Sequence, residues 1–373
     1  MTDILFGQSY YLRFDAKLWQ AMQPYPPIGT MTAVALMRQH GYTVALFDAM
    51  LAESEAEWAA ALAQYRPRYA VIYEDNFNYL SKMCLLNMRQ AAFTMTQMAQ
   101  ERGCITILCG SDATDHAEAY LAAGADYVLL GEGEETLTEL VASLEAHDGR
   151  LPPTDCTAIM GLAYQTAVGP QRNPRRPPIK EIDDLPFPAW DLIDVERYRQ
   201  IWLTHHGYYS MNMVTTRGCP YHCNWCAKPI WGQRYHSRRP ETVVRELKWL
   251  KETYHPDHIW FADDIMGLKP GWWSAFADEV DAQAARVPFK CLSRADLIVR
   301  DADNIPALAQ SGCDIVWLGA ESGSQKILDA MEKGTTVSQI HQAAHLLHQA
   351  NIRVGFFLQF GYPGETRADI ELT

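Results

Sequence analysis

Three cysteines, Cys219, Cys223 and Cys226, stand at C-x3-C-x2-C spacing in the run Thr215-Thr216-Arg217-Gly218-Cys219-Pro220-Tyr221-His222-Cys223-Asn224-Trp225-Cys226. The run follows an apolar, strand-like stretch at 208–214, so a turn at this point brings three sulfurs to one inorganic centre. Iron–sulfur clusters are ordinarily held by four thiolates, and a compact set of three predicts a four-iron cluster with one iron open to a substrate or cofactor. An open position is what separates catalytic from structural metal sites. A structural zinc would want a second ligand pair, and no second C-x2-C follows. His222 lies inside the loop, where ligation would close the site; it is expected at the loop surface. Thiolates bind metal only when deprotonated, and Arg217 nearby eases that charge.

These residues resemble the signature of the radical S-adenosylmethionine (SAM) enzymes, which carry an aromatic residue just before the third cysteine, here Trp225. The resemblance implies that SAM chelates the open iron through its amino and carboxylate groups, and that an electron from the cluster cleaves a carbon–sulfur bond to give a 5′-deoxyadenosyl radical. It also implies site residues. Asp263 or Asp264, ending Trp260-Phe261-Ala262-Asp263-Asp264, faces the SAM ammonium, the other capping the following turn. Arg294 forks onto the methionine carboxylate. Glu321, in Gly319-Ala320-Glu321-Ser322-Gly323, contacts the methionine or ribose part. Gly361 and Pro363, in Gly361-Tyr362-Pro363-Gly364-Glu365, match a turn beside adenine, with a plain turn before a helix as the other reading. The continuation Cys226-Ala227-Lys228-Pro229-Ile230-Trp231-Gly232-Gln233 looks like the anaerobic magnesium-protoporphyrin IX monomethyl ester cyclase-like branch. The same architecture serves radical methyltransferases.

The elements that must position these residues alternate. From 209 to 373, strands at 208–214, 258–262, 289–293, 314–318 and 353–360 are separated by helices at 241–254, 271–285, near Ala307, 325–331 and 337–350. With the resemblance, this β/α order implies a partial (TIM-like) barrel whose site lies at the strand carboxyl ends. Five strands are visible where the family's barrel has six, so the chain reads as truncated at its C-terminus.

The first 150 residues also alternate, with strands at 4–7, 43–47, 69–73, 104–109 and 127–130, which predicts a doubly wound α/β sheet binding ligands at its carboxyl edge. This part resembles the cobalamin-binding domain that precedes many radical SAM cores, through Pro24-Tyr25-Pro26-Pro27-Ile28-Gly29, the segment after Leu108, and Ala125-Asp126-Tyr127-Val128-Leu129-Leu130-Gly131-Glu132-Gly133-Glu134. The resemblance implies cobalamin as methyl carrier or redox partner, with Gly110, Ser111, Gly131 and Glu132 at the cofactor. Two departures stand out. The D-x-H-x-x-G element that supplies an axial histidine is absent from the loop after the first strand, and the usual Gly-Gly pair is Gly110-Ser111-Asp112. A domain that keeps the fold without the cofactor is the other reading.

Residues 151–208 are proline-rich and read as a connector, with Arg172, Arg175, Arg176 and Lys180 on a solvated linker. Arg234, Arg238 and Arg239 read equally as solvated or as facing an anionic substrate. The net charge of −13 argues against nucleic-acid binding. No apolar run long enough for a membrane span and no secretory signal is visible, and nine unevenly spaced cysteines suit a reducing compartment, so a cytoplasmic protein is expected. Cys84, Cys104, Cys109, Cys156, Cys291 and Cys313 are expected as core packing. The reading is an enzyme acting on a small-molecule substrate by methylation or oxidative cyclisation, served by a reducing donor such as flavodoxin or ferredoxin. The alternative is a noncatalytic metal-binding or sensing module with a structural metal at the three cysteines.

Overall fold

A computed structural model describes residues 2–77, 85–227 and 230–373. Cys84, Lys228 and Pro229 therefore lie outside the described residues. The chain divides into two compact units, Met1–Gly207 and Tyr208–Thr373.

The first unit is built on seven strands: β1 (Ile4–Gly7), β2 (Val44–Leu46), β3 (Tyr69–Tyr73), β4 (Ile105–Cys109), β5 (Tyr127–Leu129), β6 (Leu162–Thr166) and β7 (Gly169–Arg172). Their order is β2-β1-β3-β4-β5-β6-β7, with β1 to β5 parallel. Successive residues of one strand serve opposite cores. Ile4 and Phe6 pack with Val34, Val71 and Leu137 on one face, while Leu5 packs with Trp58, Ile72 and Met95 on the other. Burial on both faces is why these strands read as unbroken apolar runs rather than alternating ones.

The stretch expected as a connector departs from that expectation. β6 and β7 add to the sheet antiparallel, β6 against β5 and β7 against β6, so the sheet is mixed and not wholly parallel. The prolines concealed this, yet Pro170 sits in the outermost strand, where a missing N–H is tolerated. The arginines expected on a solvated linker are anchored. Arg172 donates to the Thr114 carbonyl at 2.6 Å, Arg175 meets Asp115 at 3.6 Å, and Arg176 pairs with Glu139.

The second unit holds β8 (Ser210–Met213), a short ladder of β9 (Thr216–Arg217) and β10 (His236–Ser237), then β11 (His258–Phe261), β12 (Phe289–Ser293), β13 (Cys313–Glu321) and β14 (Arg353–Leu358). The five long strands are parallel and ordered β14-β13-β12-β11-β8. Spatial order follows chain order, the winding of a β/α barrel, and all carboxyl ends share one edge. Helix Pro240–Tyr254 covers the sheet with Val243, Val244, Leu247 and Leu250, an apolar stripe opened by a proline in its first turn. Among the described residues no helix is long and apolar enough to cross a membrane.

Candidate active site

The cysteine loop is closed at its base by β9 pairing antiparallel with β10, Arg217 opposite His236 and Thr216 opposite Ser237. Gly218 begins the loop at φ +80°, and a β-carbon there would lie 2.3 Å from the Arg234 carbonyl oxygen, so only glycine fits. Asp263, 2% exposed at the end of β11, accepts from the Thr215 and Thr216 N–H groups at 2.7 and 2.9 Å. Burial pushes its carboxyl up to about 6, against the hydrogen bonds that pull it down. Asp263 is thus the residue that caps the turn, and Asp264 is the one that lines the site.

Cys219, Cys223 and Cys226 line one cavity of about 380 Å³ together with Trp225, Asp264, Ser293, Arg294, Glu321 and Lys333. Among the described residues no fourth cysteine lines it. Among the described residues, no three His, Cys, Asp or Glu side chains gather as a single ion would need. Three thiols of one loop that line a single cavity with polar side chains fit a cluster of several atoms that keeps a position open for a ligand. His222 is exposed, as the sequence suggested.

The cavity lining includes an ion pair. Lys333 Nζ donates to Glu321 Oε1 at 2.8 Å, and the side chains are 7% and 5% exposed. Glu321 sits at φ +62°, where the β13–β14 register slips between Gly319 and Glu321. A non-glycine residue held in the left-handed region is strained, a state that clusters at functional sites.

Arg294 lines the cavity and is also held by the protein. Its Nε donates to Asp296 at 2.9 Å, and its Nη2 to the Lys333 carbonyl at 2.6 Å and to Thr335 Oγ1 at 3.0 Å. Its Nη1 reaches Cys223 Sγ at 3.7 Å, and the guanidinium lies 3.6 Å from the Tyr221 ring centre. Arg238 pairs with buried Glu246 at 2.6 Å and so does not face a substrate. Gly361 and Pro363 are not in the cavity lining, where Phe357, Leu358 and Gln359 stand instead. Their neighbour Tyr362 donates from its hydroxyl to Asn224 Oδ1 of the cysteine loop at 2.8 Å.

The sequence reading missed the segment 330–335. Asn224 N–H donates to the Met331 carbonyl at 3.1 Å and Arg294 holds the Lys333 carbonyl, so this turn straps the cysteine loop. The available signal was Lys333-Gly334-Thr335-Thr336 between two helices, a lysine flanked by turn residues where a solvated connection would be assumed.

In the first unit the residues expected at cobalamin are engaged by the protein. Gly110 packs on Glu74, the Gly131 N–H donates to Thr114 Oγ1 at 2.9 Å, and Glu132 accepts from the Ile179 N–H at 2.6 Å. Ser111 opens a short helix whose next residue, Asp112, is clamped by Arg89 at 2.6 and 2.7 Å and by the Tyr120 hydroxyl at 2.8 Å. Ser111 itself is half-buried and lines a small cavity with Ser9, Glu74, Asp75 and Asn76. Of the cysteines expected in the cores, Cys104, Cys109, Cys156, Cys291 and Cys313 are buried.

The sequence profile of the radical SAM superfamily matches residues 213–373, and the second unit is a radical SAM domain. The chain is 30% identical over 250 residues to an uncharacterized methyltransferase of Pyrococcus horikoshii, covering 66% of this chain and 51% of that protein. It is 25% identical over 332 residues to the anaerobic magnesium-protoporphyrin IX monomethyl ester cyclase of Synechocystis sp., covering 88% of this chain and 63% of the relative. The chain thus spans about half the length of the first of these and under two thirds of the second. Among solved structures, the cobalamin-dependent radical SAM enzyme OxsB with aqua-cobalamin bound superposes with a TM-score of 0.79 at 17% identity, covering 100% of this chain and 51% of that one. The radical SAM methyltransferase TsrM from Kitasatospora setae gives 0.76 at 19% identity, covering 99% and 69%. These likenesses show a shared fold.

Proposed function

We propose that this chain is the core of a radical SAM enzyme that holds a four-iron cluster on Cys219, Cys223 and Cys226 and modifies an organic small molecule by methylation or oxidative cyclisation. The observation that carries the reading is the cavity itself, lined by three cysteines of one loop, by no fourth among the described residues, and by the charged pair Glu321–Lys333. When bound, the cluster supplies the electron that cleaves a carbon–sulfur bond of SAM to give the 5′-deoxyadenosyl radical. The protein's part is positioning. Asp263 fixes the start of the cysteine loop, Arg294 and Asn224 hold it against the 330–335 turn, Asp264 offers a carboxylate to the SAM amino group, and Glu321 a polar contact to its methionine or ribose part. The reducing electron is assigned to a flavodoxin or ferredoxin.

The relatives are named both methyltransferase and cyclase, and both reaction classes stay within the proposal. Cobalamin enters it as a ligand of the first unit, on the strength of the fold shared with enzymes described as cobalamin-dependent. Gly110, Ser111, Gly131 and Glu132 are the residues proposed beside it, and no step is routed through it.

Anaerobic reconstitution tests the reading. Iron and sulfide near four each per chain, with reductive release of 5′-deoxyadenosine from SAM, is the expected result. One zinc per chain and no cleavage would establish the noncatalytic module instead.

A further inference from the structure

The turn Gly361-Tyr362-Pro363-Gly364-Glu365 follows β14 and is closed on itself. Gly361 and Gly364 sit at φ +83° and +84°, where glycine alone is unstrained. The Glu365 carboxylate accepts from the Gly361 N–H at 2.6 Å, and the Glu365 N–H donates to the Tyr362 carbonyl at 2.9 Å. A turn fixed in this way aims its one aromatic side chain, the half-buried Tyr362, at the cysteine loop. The Tyr362 hydroxyl lies 2.8 Å from Asn224 Oδ1 and 2.9 Å from the Ala330 carbonyl oxygen. Asn224 Nδ2 donates to the same carbonyl at 2.8 Å, and the Asn224 N–H to the Met331 carbonyl at 3.1 Å. Three segments far apart in sequence therefore meet at one node: the cysteine loop, the end of helix Gln325–Ala330, and the turn after β14.

The segment that carries Tyr362 is itself anchored. Lys326 Nζ donates to the Gly364 carbonyl and to Asp369 Oδ2, both at 2.9 Å, and Ser324 Oγ donates to Asp369 Oδ1 at 2.7 Å. Asp369 also closes a capping box with Thr366, so the helix Arg367–Leu372 starts where these bonds hold it. Tyr362 thus reaches the cysteine loop from a support that does not depend on that loop. Asn224 lies between Cys223 and Cys226, and clasping it fixes the backbone that carries two of the three thiols. Contacts outside a ligand set orient the ligands and tune what they hold. We infer that Tyr362 is a positioning residue for the cluster: its hydroxyl clasps Asn224, holds the cysteine loop closed against the end of helix Gln325–Ala330, and so sets how readily the cluster is laid open to solvent. The inference rests on the reading of Cys219, Cys223 and Cys226 as cluster ligands.

Opening of a loop is a local equilibrium set by the few contacts that close it. A neutral hydrogen bond shifts such an equilibrium by about twofold to tenfold. The test uses the full chain with its cluster reconstituted anaerobically, and bathophenanthroline disulfonate as a chelator that takes iron from the opened loop. Tyr362→Phe removes one hydroxyl and keeps the ring. Iron release should become about twofold to tenfold faster, while the starting iron and sulfide content and the melting temperature stay at wild-type values. Deuterium exchange should rise in residues 219–227 and stay unchanged in β11, β12 and β13.

A second variant separates the clasp from a general loss of packing. Asn224→Ala should release iron at least as fast as Tyr362→Phe, and in the Asn224→Ala background Tyr362→Phe should add nothing, since the remaining acceptor of the hydroxyl, the Ala330 carbonyl, is not part of the cysteine loop. A tyrosine that only packs would lower the melting temperature, and its effect would add to that of Asn224→Ala. Additive effects, or unchanged iron release and exchange in a Tyr362→Phe protein that holds its cluster, overturn the inference alone. A wild-type protein that takes up no cluster overturns the reading of the three cysteines and the inference with it.

Discussion

Arg294 places its guanidinium 3.7 Å from the sulfur of Cys223, a charged donor against one of the three cluster-ligand candidates. Hydrogen bonds to cluster sulfurs and nearby charge both set reduction potential, and a cation favours the more negative, reduced state. Arg294→Gln should therefore retain the cluster with a lower potential, by several tens of millivolts, in redox-poised electron spin resonance. Arg294→Lys should recover part of the shift, because it restores the charge without the fork. An unchanged potential in the glutamine variant would mean that the contact is packing only.

Gly319→Ala separates the fold from the site. The added β-carbon meets the far ends of two flexible side chains, Lys333 Nζ at 2.6 Å and Glu321 Oε1 at 2.8 Å, so the sheet need not move but the ion pair must. The variant should melt within a few degrees of the wild type, take up its cluster, and bind SAM at least about tenfold more weakly. A large loss of melting temperature with normal SAM affinity would contradict this.

The second unit should be sensitive to acid through His258. Burial first, then the charge of Lys290, push its imidazole down from 6.5 to about 4. The unfolded chain therefore takes up the proton first as pH falls. The contribution is fully present above pH 6.5 and is lost progressively on the way to pH 4, amounting to about 3 kcal/mol. His258→Gln, which keeps a partner for Ser210 Oγ at 3.0 Å, should flatten unfolding free energy against pH in this window. An unaltered slope would place the sensitivity elsewhere.

In the first unit, Asp112 has become structural. Its carboxylate takes both arms of Arg89 and the Tyr120 hydroxyl, and these contacts hold its pKa below the usual carboxylate range. Asp112→Ala should destabilise this unit by on the order of 3 kcal/mol, because it leaves a guanidinium without its partner. Loss of hydrogen-exchange protection in β4 would report it. The substitution should not increase cobalamin uptake. Any cobalamin taken up should show no protein imidazole beneath cobalt, since the loop after β1, residues 8–27, contains no histidine.

Much of the second unit was legible in the sequence because its signals are local. The spacing of Cys219, Cys223 and Cys226 is a property of one loop, and the strands ending at Asp264, Arg294 and Glu321 announce themselves as apolar runs followed by polar residues. The β6–β7 hairpin was hidden because Pro170 is a strand-breaking signal everywhere except at a sheet edge, and no residue within the hairpin says that it is an edge.

The sequence by itself determined which atoms are available: three thiols without a fourth, a pair of aspartates at one strand end, an arginine and a glutamate at the next two. Tertiary structure decided their roles. Asp263 and Asp264 are adjacent and chemically equal, and only the turn at Thr215 and Thr216, 48 and 47 residues earlier, makes one a cap and leaves the other in the cavity. Lys333 lies on a short connection where sequence alone predicts a solvated side chain. It became a buried cation because Glu321, on a bulge of β13 12 residues away, points at the same space, and Gly319 leaves that space empty. Local pattern cannot carry that information, since the energy of a charge depends on what surrounds it in three dimensions.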